Sequence, residues 1–277
     1  MSSISLPKIS VVTPNYNQSQ YLEKTILSVL NQNYSNLEYI IIDGGSTDNS
    51  LEVIKKYENQ LTYWISEPDN GMYFALQKGL EKCDGEIMGW INSDDMLHPG
   101  ALERVASLFK KNPTVRWIQG YPTVIDEKGN LIHTREHRYI QDAFLLKRYH
   151  DWKFIQQEST YWRRSLWIEA GSRVSTEYRF AGDFELWMRF FKYSKLYVTN
   201  EYIGAFRCRE GQLSEINGNN YILECDHIIN HHIKSLCIFK QVQIKVLKSL
   251  EPFLSHRLRF IYDRIRTYCE IDSTLYC

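Results

Sequence analysis

Residues 85–100 read GEIMGWINSDDMLHPG, and this stretch decides the fold. Its apolar run, residues 87–91, is soon followed by the adjacent carboxylates of Asp94 and Asp95. An apolar run bounded by polar turn residues predicts a buried strand. In an open α/β sheet, ligands bind beyond the carboxyl ends of the strands, where carboxylate oxygens can hold a hard divalent cation. The alternative is that the two aspartates only cap the helix that starts near Pro99.

The first 110 residues repeat a strand–helix pattern four times. This alternation predicts the α/β class, with a mostly parallel, Rossmann-like sheet covered by helices on both faces. No GxGxxG or GxxxxGK[ST] motif occurs, which argues against a dinucleotide dehydrogenase or a P-loop enzyme. The predicted strands are residues 9–13, 39–42, 61–66 and 86–92, and the helices follow at about 22–30, 48–57 and 72–80 and from Pro99, taken as the first helical residue.

After residue 112 the pattern changes to a mixed region and then to helices. Strands are predicted at 115–121 and 130–134, joined by a turn at 127–130, and further strands at 156–162, 196–199 and 202–206. Helices are predicted at 164–170, ending at Gly171, at 183–191, and from Tyr221 onward.

Composition and charge limit the class of protein. With 277 residues, of which 43% are apolar, the chain can bury a sizeable core, and its formal net charge of zero gives no reason to expect a nucleic acid partner. The six cysteines are scattered without a CxxC pair, so we expect reduced thiols in a cytoplasmic protein. We expect no signal peptide, because residues 1–8 contain no apolar segment, and no membrane-spanning helix, because no apolar run reaches roughly 18 residues.

Four polar motifs occur at predicted strand or helix ends. They are Thr13-Pro14-Asn15-Tyr16-Asn17, Asp43-Gly44-Gly45-Ser46-Thr47-Asp48, Asn92-Ser93-Asp94-Asp95 and Gly182-Asp183. Together they resemble the family 2 glycosyltransferases, which have the GT-A fold, over roughly residues 8–215. The resemblance implies an inverting transfer of a sugar from a nucleotide-diphosphate donor, with a Mg or Mn cation bridging the diphosphate.

The third motif matches the metal-binding motif of the family. The resemblance implies that Asp94 binds the metal and that Asp95 supports it or binds it through water. The commonest form of the motif is Asp-x-Asp-Asp, and here Asn92 replaces the first acid. Asparagine can still hydrogen-bond a ribose hydroxyl or a metal-bound water, while Ser93 would contact the donor within the same motif.

The other motifs imply a nucleotide-sugar site. Asp43 matches the residue that hydrogen-bonds the base, although the second acid often found there is Gly44. Lys78 could contact phosphate or could be an ordinary solvated helix lysine. One of the two arginines after the last strand would bind the diphosphate. The remaining donor-binding candidates implied by the resemblance are Thr13, Pro14, Asn15, Tyr16, Asp69, Asn70, Arg207 and Arg209.

Asp183 matches the catalytic base of the family, which would take the proton of the acceptor hydroxyl. Glu185 is the alternative base, and it lies roughly 200° further around the helix, so the two carboxylates would not share a face. On the acceptor side, Trp152 and Trp162 could stack a sugar ring, or they could belong to the core.

The C-terminal residues carry a broad apolar stripe between Ile233 and Leu254. It could pack on the catalytic domain, form a homodimer contact, or lie on an anionic inner membrane surface. We therefore divide the chain into a GT-A domain, residues 1–215, and a helical extension, residues 216–277. Residues 1–110 would bind the nucleotide sugar and residues 111–215 would face the acceptor.

The expected function is a metal-dependent glycosyltransferase of surface polysaccharide or glycolipid synthesis. Its acceptor would be a glycan or a lipid-linked sugar, at the cytoplasmic face of the membrane. The alternatives are an inactive sugar-binding or scaffold relative and a sugar nucleotidyltransferase. The latter should carry a glycine-rich N-terminal loop with a basic residue, which residues 13–18 lack.

Overall fold

Four parallel strands form one half of the large sheet. A computed structural model describes residues 6–134, 144–145, 155–212, 218–250 and 275–276. The predicted α/β class and the repeated strand–helix pattern of the first 110 residues are confirmed. The elements are β1 (Ile9–Asn15), α1 (Ser19–Leu30), β2 (Leu37–Asp43), α2 (Ser50–Tyr57), β3 (Tyr63–Ser66), α3 (Met72–Lys82) and β4 (Ile87–Trp90).

The rest of the chain widens this sheet and adds a second one. Its elements are β5 (Met96–Leu97), α4 (Ala101–Lys111), β6 (Trp117–Gln119), β7 (Thr123–Ile125), β8 (Leu131–Thr134), β9 (Thr160–Arg163), α5 (Arg164–Glu169), α6 (Gly182–Phe190), β10 (Tyr197–Thr199), β11 (Gly204–Arg207), α7 (Gly218–Ser235), α8 (Ile238–Leu250) and β12 (Leu275–Tyr276).

The large sheet has the order β12-β10-β6-β9-β4-β1-β2-β3. Strands β1 to β4 run parallel, whereas β9 is antiparallel to both of its neighbours, β4 and β6. A smaller sheet has the order β5-β11-β7-β8 and lies beyond the end of β4. The carboxyl ends of β1, β2 and β4 therefore meet at one edge, where the polar motifs follow.

Helices cover both faces of the large sheet, as predicted. The side chains of β1 alternate between them: Ile9 and Val11 belong to the core beneath α1 and α4, whereas Val12 belongs to the core beneath α3 and α6. The second core contains a group of tryptophans in which the rings of Trp90 and Trp187 stack, with centroids 5.3 Å apart and planes inclined by 5°. This stack joins β4 to α6.

Several predicted boundaries were wrong for identifiable reasons. The predicted hairpin of 115–121 with 130–134 is instead β7 with β8, because the chain leaves the large sheet at Gly120. A Cβ at Gly120 would lie 2.7 Å from Ile203, so glycine permits this close crossing. Helix α4 begins at Ala101, and Pro99 lies in the turn before it. The predicted strand at 156–162 opens with a 3-10 turn, Gln157–Ser159.

The C-terminal region is helical, as predicted, and α7 joins the main core. Cys225, Ile228 and Ile229 are buried there. Helix α8 exposes part of its apolar stripe, with Phe239 81% exposed. Contact of this face with a membrane or with a second copy of the chain stays a prediction. The boundary between the two domains at residue 215 also stays a prediction. Among the described residues, no helix has both the length and the apolar character needed to cross a membrane.

Candidate active site

The loops after β1 and β2 are joined by side-chain hydrogen bonds. The Asn17 Oδ1 accepts bonds from the backbone N–H of Thr47, at 2.8 Å, and of Asp48, at 3.3 Å. The Asp48 carboxylate in turn accepts the N–H of Ser19 and of Ser50, each at 2.9 Å, so it caps the first turns of both α1 and α2. The two loops therefore act as one unit at the edge of the sheet.

Asp43 organises this unit from inside. Its carboxylate is fully buried and lies 2.6 Å from the Asn15 Nδ2, 2.6 Å from the Ser66 hydroxyl and 2.9 Å from the Ser46 N–H. These bonds lower the pKa of Asp43 against the effect of burial, which raises it. Both carboxylate oxygens are thus already engaged. A further hydrogen bond donated by a nucleotide base to Asp43 does not fit this arrangement, whereas a role in holding the turn after β2 does.

Two glycines, Gly44 and Gly45, follow Asp43, and the geometry around Gly44 explains why a second acid is absent there. Gly45 has a φ of +78°, which the tight turn requires. A Cβ at Gly44 would lie 3.0 Å from the Asp69 Oδ2, so Asp69 occupies the space beside the turn. A second acid at position 44 would press against the Asp69 carboxylate. Asp69 also accepts the Gly71 N–H at 2.8 Å, next to the exposed Asn70.

Buried acceptors without donors mark the ends of β1 and β4. The Oδ1 atoms of Asn15 and Asn92 are buried and have no hydrogen-bond partner among the described residues. Because these two strands are neighbours in the sheet, both amides lie at the same edge. Unpaired buried acceptors are costly, and a bound ligand with hydroxyl or N–H donors would satisfy them.

The remaining candidates on β1 differ in their access to a ligand. Tyr16 is 60% exposed and stands at the rim of this edge. Thr13 and Pro14 are buried within the sheet, and the Thr13 hydroxyl lies 3.1 Å from the Tyr39 hydroxyl. Their side chains therefore support the site from within, and contact with a nucleotide would have to come through backbone atoms.

The motif after β4 forms a turn held by α1. The Thr25 hydroxyl lies 2.9 Å from the Ser93 carbonyl oxygen and 2.7 Å from that of Asp95. Ser93 itself is buried. Asp94 presents its carboxylate toward Arg209, whose Nε lies 2.9 Å from the Asp94 Oδ2. The two residues form an ion pair at the mouth of the site, where both side chains keep some contact with solvent.

Asp95 and Arg207 are inside the protein and have structural partners. The Asp95 carboxylate accepts the Arg207 backbone N–H at 2.8 Å and the Gln157 Nε2 at 3.1 Å. Burial, with the negative charges of Asp94 and Glu158, raises the pKa of Asp95 well above its usual value. Direct metal coordination by Asp95 does not fit this geometry, whereas the supporting role does.

Of the two candidate arginines, Arg209 keeps some contact with solvent, whereas Arg207 has a buried Nη2 without a partner among the described residues. The Arg207 guanidinium is fully buried and donates to the carbonyl oxygens of Asp94, Asp126 and Glu127 at 2.5, 2.9 and 2.8 Å. It therefore links the Asp94 turn to the β7–β8 turn. Both guanidinium groups lie over the ring of Tyr21, with their carbons 5.2 and 5.4 Å from its centroid, a contact that the sequence patterns did not predict.

The protein offers few ligands for a cation at this site, so substrate phosphates and water would have to supply the others. Among the described residues, no three His, Cys, Asp or Glu side chains come together as a ready-made metal site. Asp94 offers an Oδ1 without a hydrogen bond from the described residues. Mg²⁺ typically binds through one or two carboxylates plus substrate phosphates and water, and a single carboxylate is compatible with that pattern.

Lys78 is engaged in an ion pair with Glu67. Its ammonium contacts the Glu67 carboxylate, and the lysine lies in the middle of α3. The reading as an ordinary helix lysine fits this position. A role in phosphate binding would require the pair with Glu67 to break.

Asp183 is the second residue of α6, with its side chain mostly shielded from solvent. Its Oδ1 accepts the Phe184 N–H at 2.7 Å and the Tyr73 hydroxyl at 3.2 Å, and its Oδ2 has no bond from the part of the chain that the structure describes. Burial raises the pKa of Asp183 to about 6, although these hydrogen bonds lower it. The carboxylate is thus ionised at neutral pH and basic enough to take a proton.

The alternative base is already occupied. Both oxygens of Glu185 pair with the Arg189 Nε, at 2.8 and 2.9 Å. Asp183 therefore fits the role of base better than Glu185 does. Glycine precedes it because a Cβ at Gly182 would lie 2.9 Å from the ring of Tyr73. Tyr73 was not predicted as a site residue, since a tyrosine in the first turn of a helix resembles any core residue.

Of the two alternatives for Trp162, a sugar platform or a core residue, the structure supports the core. Its ring is fully buried among the core tryptophans, 5.5 Å from Trp90. Trp152 lies outside the described residues.

Comparison with known proteins identifies the family. The model of the family described as Glycosyl transferase family 2 matches residues 10–170, more than half of the chain. The chain belongs to this family. An uncharacterised glycosyltransferase of Rickettsia typhi is 25% identical over 253 residues, which cover 90% of this chain and 78% of that protein. The chondroitin synthase of Escherichia coli is 33% identical over 129 residues, which cover 46% of this chain and 19% of that protein.

Solved structures share the fold of this family 2 glycosyltransferase. Residues 1–349 of S. aureus TarS in complex with UDP-GlcNAc match with a TM-score of 0.65 and 19% identity, covering 83% of this chain and 68% of that one. The complex of the same protein with UDP matches with a TM-score of 0.63 and 18% identity, covering 90% and 73%. The GT-A fold expected from the sequence is therefore confirmed.

Proposed function

We propose that the protein transfers a sugar, with inversion, from a nucleotide-diphosphate sugar to a hydroxyl group of a glycan or a lipid-linked acceptor. The observation that carries this proposal is the Asp183 carboxylate, whose pKa is raised to about 6 and whose Oδ2 is open among the described residues. Inverting displacement needs one base, on the face of the sugar opposite the leaving group. Asp183 has the chemistry for that role.

The donor would bind at the edge formed by β1, β2 and β4. The unpaired amide oxygens of Asn15 and Asn92 would accept hydroxyl or N–H donors of the nucleoside, and the exposed ring of Tyr16 would pack beside it. Arg209 would exchange its partner Asp94 for the diphosphate. UDP and UDP-GlcNAc in the TarS complexes support a uridine nucleotide as the first donor to test.

A divalent cation, Mg or Mn, would be held at Asp94. When bound, it would neutralise the negative charge that grows on the leaving diphosphate. Arg209 would contribute a second positive charge to the same phosphates. Ser93 and Asp95 would hold the turn on which the Asp94 carboxylate stands.

The protein would perform the transfer by positioning the reactants and removing a proton. The acceptor oxygen attacks the anomeric carbon, the bond from that carbon to the diphosphate breaks, and the acceptor proton passes to the Asp183 carboxylate. General base catalysis of this kind contributes about 10²–10⁴-fold to a rate. The new bond then has the opposite configuration at the anomeric carbon.

The likeness to chondroitin synthase supports a glycan acceptor. Synthesis of a surface polysaccharide or glycolipid at the cytoplasmic face of a membrane would suit such an acceptor. An inactive sugar-binding relative remains the competing hypothesis. A nucleotidyltransferase is disfavoured, since the loop after β1 carries no basic residue.

Two substitutions test the proposal. We expect Asp183→Asn to abolish sugar transfer while it leaves donor binding unchanged, because the amide cannot take a proton. We expect Asp94→Ala to weaken metal-dependent binding of the donor. The measurements are nucleotide release from UDP-GlcNAc and other nucleotide sugars with Mn²⁺, and calorimetric titration of UDP with and without Mn²⁺.

Each result can contradict the proposal. Transfer by Asp183→Asn at the wild-type rate would refute the base. Absence of nucleotide release from every donor and acceptor tested, with retained binding, would favour the inactive relative. Glu185→Gln is the matched control, because Glu185 lies on the same helix but pairs with Arg189.

A further inference from the structure

A carboxylate from the C-terminal extension holds the turn before α6. Glu224 of α7 accepts hydrogen bonds from three successive backbone N–H groups, those of Arg179 at 3.0 Å, Phe180 at 2.9 Å and Ala181 at 2.8 Å. Ala181 directly precedes α6, which carries Asp183 as its second residue. Bonds from N–H groups to an ionised carboxylate are short and strong. Glu224 therefore fixes the direction in which the chain enters this helix.

A second contact holds the same turn from the donor side. The Tyr73 hydroxyl of α3 lies 2.8 Å from the Phe180 carbonyl oxygen and 3.2 Å from the Asp183 Oδ1. Thus the N–H of Phe180 is bound by Glu224 and its carbonyl by Tyr73. With the N–H and the C=O of one residue both held, the start of α6 has little freedom to rotate.

We propose that Glu224 is a positioning residue of the transfer reaction, which orients Asp183 toward the acceptor hydroxyl through the backbone of residues 179–181. This inference rests on the proposed role of Asp183 as the base. Gly182, between this turn and Asp183, leaves room for the ring of Tyr73.

The charges around Asp183 make this role measurable. Burial is the largest cause that raises the pKa of Asp183, and the negative charge of Glu224 raises it further. Among the described residues, the other titratable groups that face Asp183 are Tyr73 of α3 and Tyr221 and Cys225 of α7. Burial raises the pKa of each of these three groups, so they stay neutral across the working pH range. Removal of the Glu224 charge should therefore lower the pKa of Asp183.

The test is the substitution Glu224→Gln, which keeps the size of the side chain but replaces an accepting oxygen with an N–H₂ donor. We expect faster hydrogen exchange at the amides of residues 179–181. We also expect kcat for nucleotide release to fall by about 10- to 100-fold with an unchanged donor KM, since a small misplacement of a catalytic group has effects of this size. The acid limb of the kcat profile should move to lower pH. The control Glu52→Gln, an exposed acid on α2, should change none of these.

A readout without any donor completes the experiment. The pH dependence of the stability difference between the chain with Asp183 and its Asp183→Asn variant reports the pKa of Asp183. We expect this pKa to fall in the Glu224→Gln background, and an unchanged value together with unchanged amide exchange would overturn the proposal. Faster exchange with unchanged kcat would also overturn it. Full activity of the Asp183→Asn variant would refute the role of Asp183 as the base. This outcome differs from an unchanged Glu224→Gln variant, which would refute only the positioning role of Glu224.

Discussion

Asp183 destabilises the fold at the pH at which it would work. Its pKa of about 6 lies above the ordinary value of 3.8, so the folded protein binds this proton more tightly than the unfolded chain does. A pKa shift of one unit corresponds to about 1.4 kcal/mol, which sets the cost of the ionised form at no more than about 3 kcal/mol. The contribution of Asp183 to stability is complete below its unfolded pKa and is lost as the pH rises through the folded pKa.

We therefore expect Asp183→Asn to raise stability and to remove activity at the same time. The variant should be more stable than the wild type at about pH 7.5, by up to about 2 kcal/mol, and the difference should disappear near about pH 4. Urea unfolding at the two pH values measures this. In the wild type, kcat should fall as the pH drops below about 6, where the base is protonated. A stability difference that did not change with pH would contradict the raised pKa.

Some site residues could be predicted from the sequence because their chemistry is local. Asp94, Asp183 and Arg209 each stand at the end of a recognisable strand or the start of a helix. Asp43 and Arg207 were placed in the site by the same logic, but their side chains turn inward. A sequence pattern gives the position of a polar residue, whereas its direction depends on partners from other loops.

At the level of elements, the donor edge depends on the connection between two loops. Asp48 accepts N–H groups from the first turns of both α1 and α2, and Asn17 bonds to the loop after β2. The strands themselves were predictable, because apolar runs between polar loops are visible in the sequence. Strand β7 was not, since three residues after Pro122 are too short for a pattern to emerge.

We expect Asp48→Ala to destabilise the protein by about 1–3 kcal/mol, because it removes the caps of two helices at once. It should also weaken the binding of UDP, since the loops after β1 and β2, next to Asn15 and Ser46, lose a connection between them. Thermal unfolding and calorimetric titration measure the two effects. Glu58→Ala, an exposed acid just after α2, is the control and should change neither quantity. Equal stability of both variants would show that the caps are not important.

At the scale of the whole molecule, the C-terminal extension and the catalytic domain share a core. The helical character of the extension was predictable from its apolar stripe, but its attachment was not. Glu224 and Ala181 are 43 residues apart, and no local pattern connects them. The buried face of α7 and the contact of Glu224 with the active-site turn both depend on tertiary packing.

Ile229→Ala tests this shared core. Its side chain is fully buried, so we expect a loss of about 2–5 kcal/mol, as for other large-to-small core substitutions. If the extension belongs to the same cooperative unit, tryptophan fluorescence and circular dichroism should report a single urea transition that shifts as a whole. Leu223→Ala, at a position 65% exposed on the same helix, is the matched control. Two separate transitions would mean that the extension unfolds independently.

The stack of Trp90 on Trp187 has a consequence for how such an enzyme can diversify. It joins the strand that leads to Asp94 directly to the helix that carries Asp183, with ring planes only 5° apart. Interiors are close-packed, so a mutation that altered the spacing between Asp94 and Asp183 would have to rebuild the surrounding tryptophans. Inherited changes of acceptor are therefore easiest in segments outside this stack. Exchange of loops at the rim of the site would therefore leave the spacing between Asp94 and Asp183 unchanged.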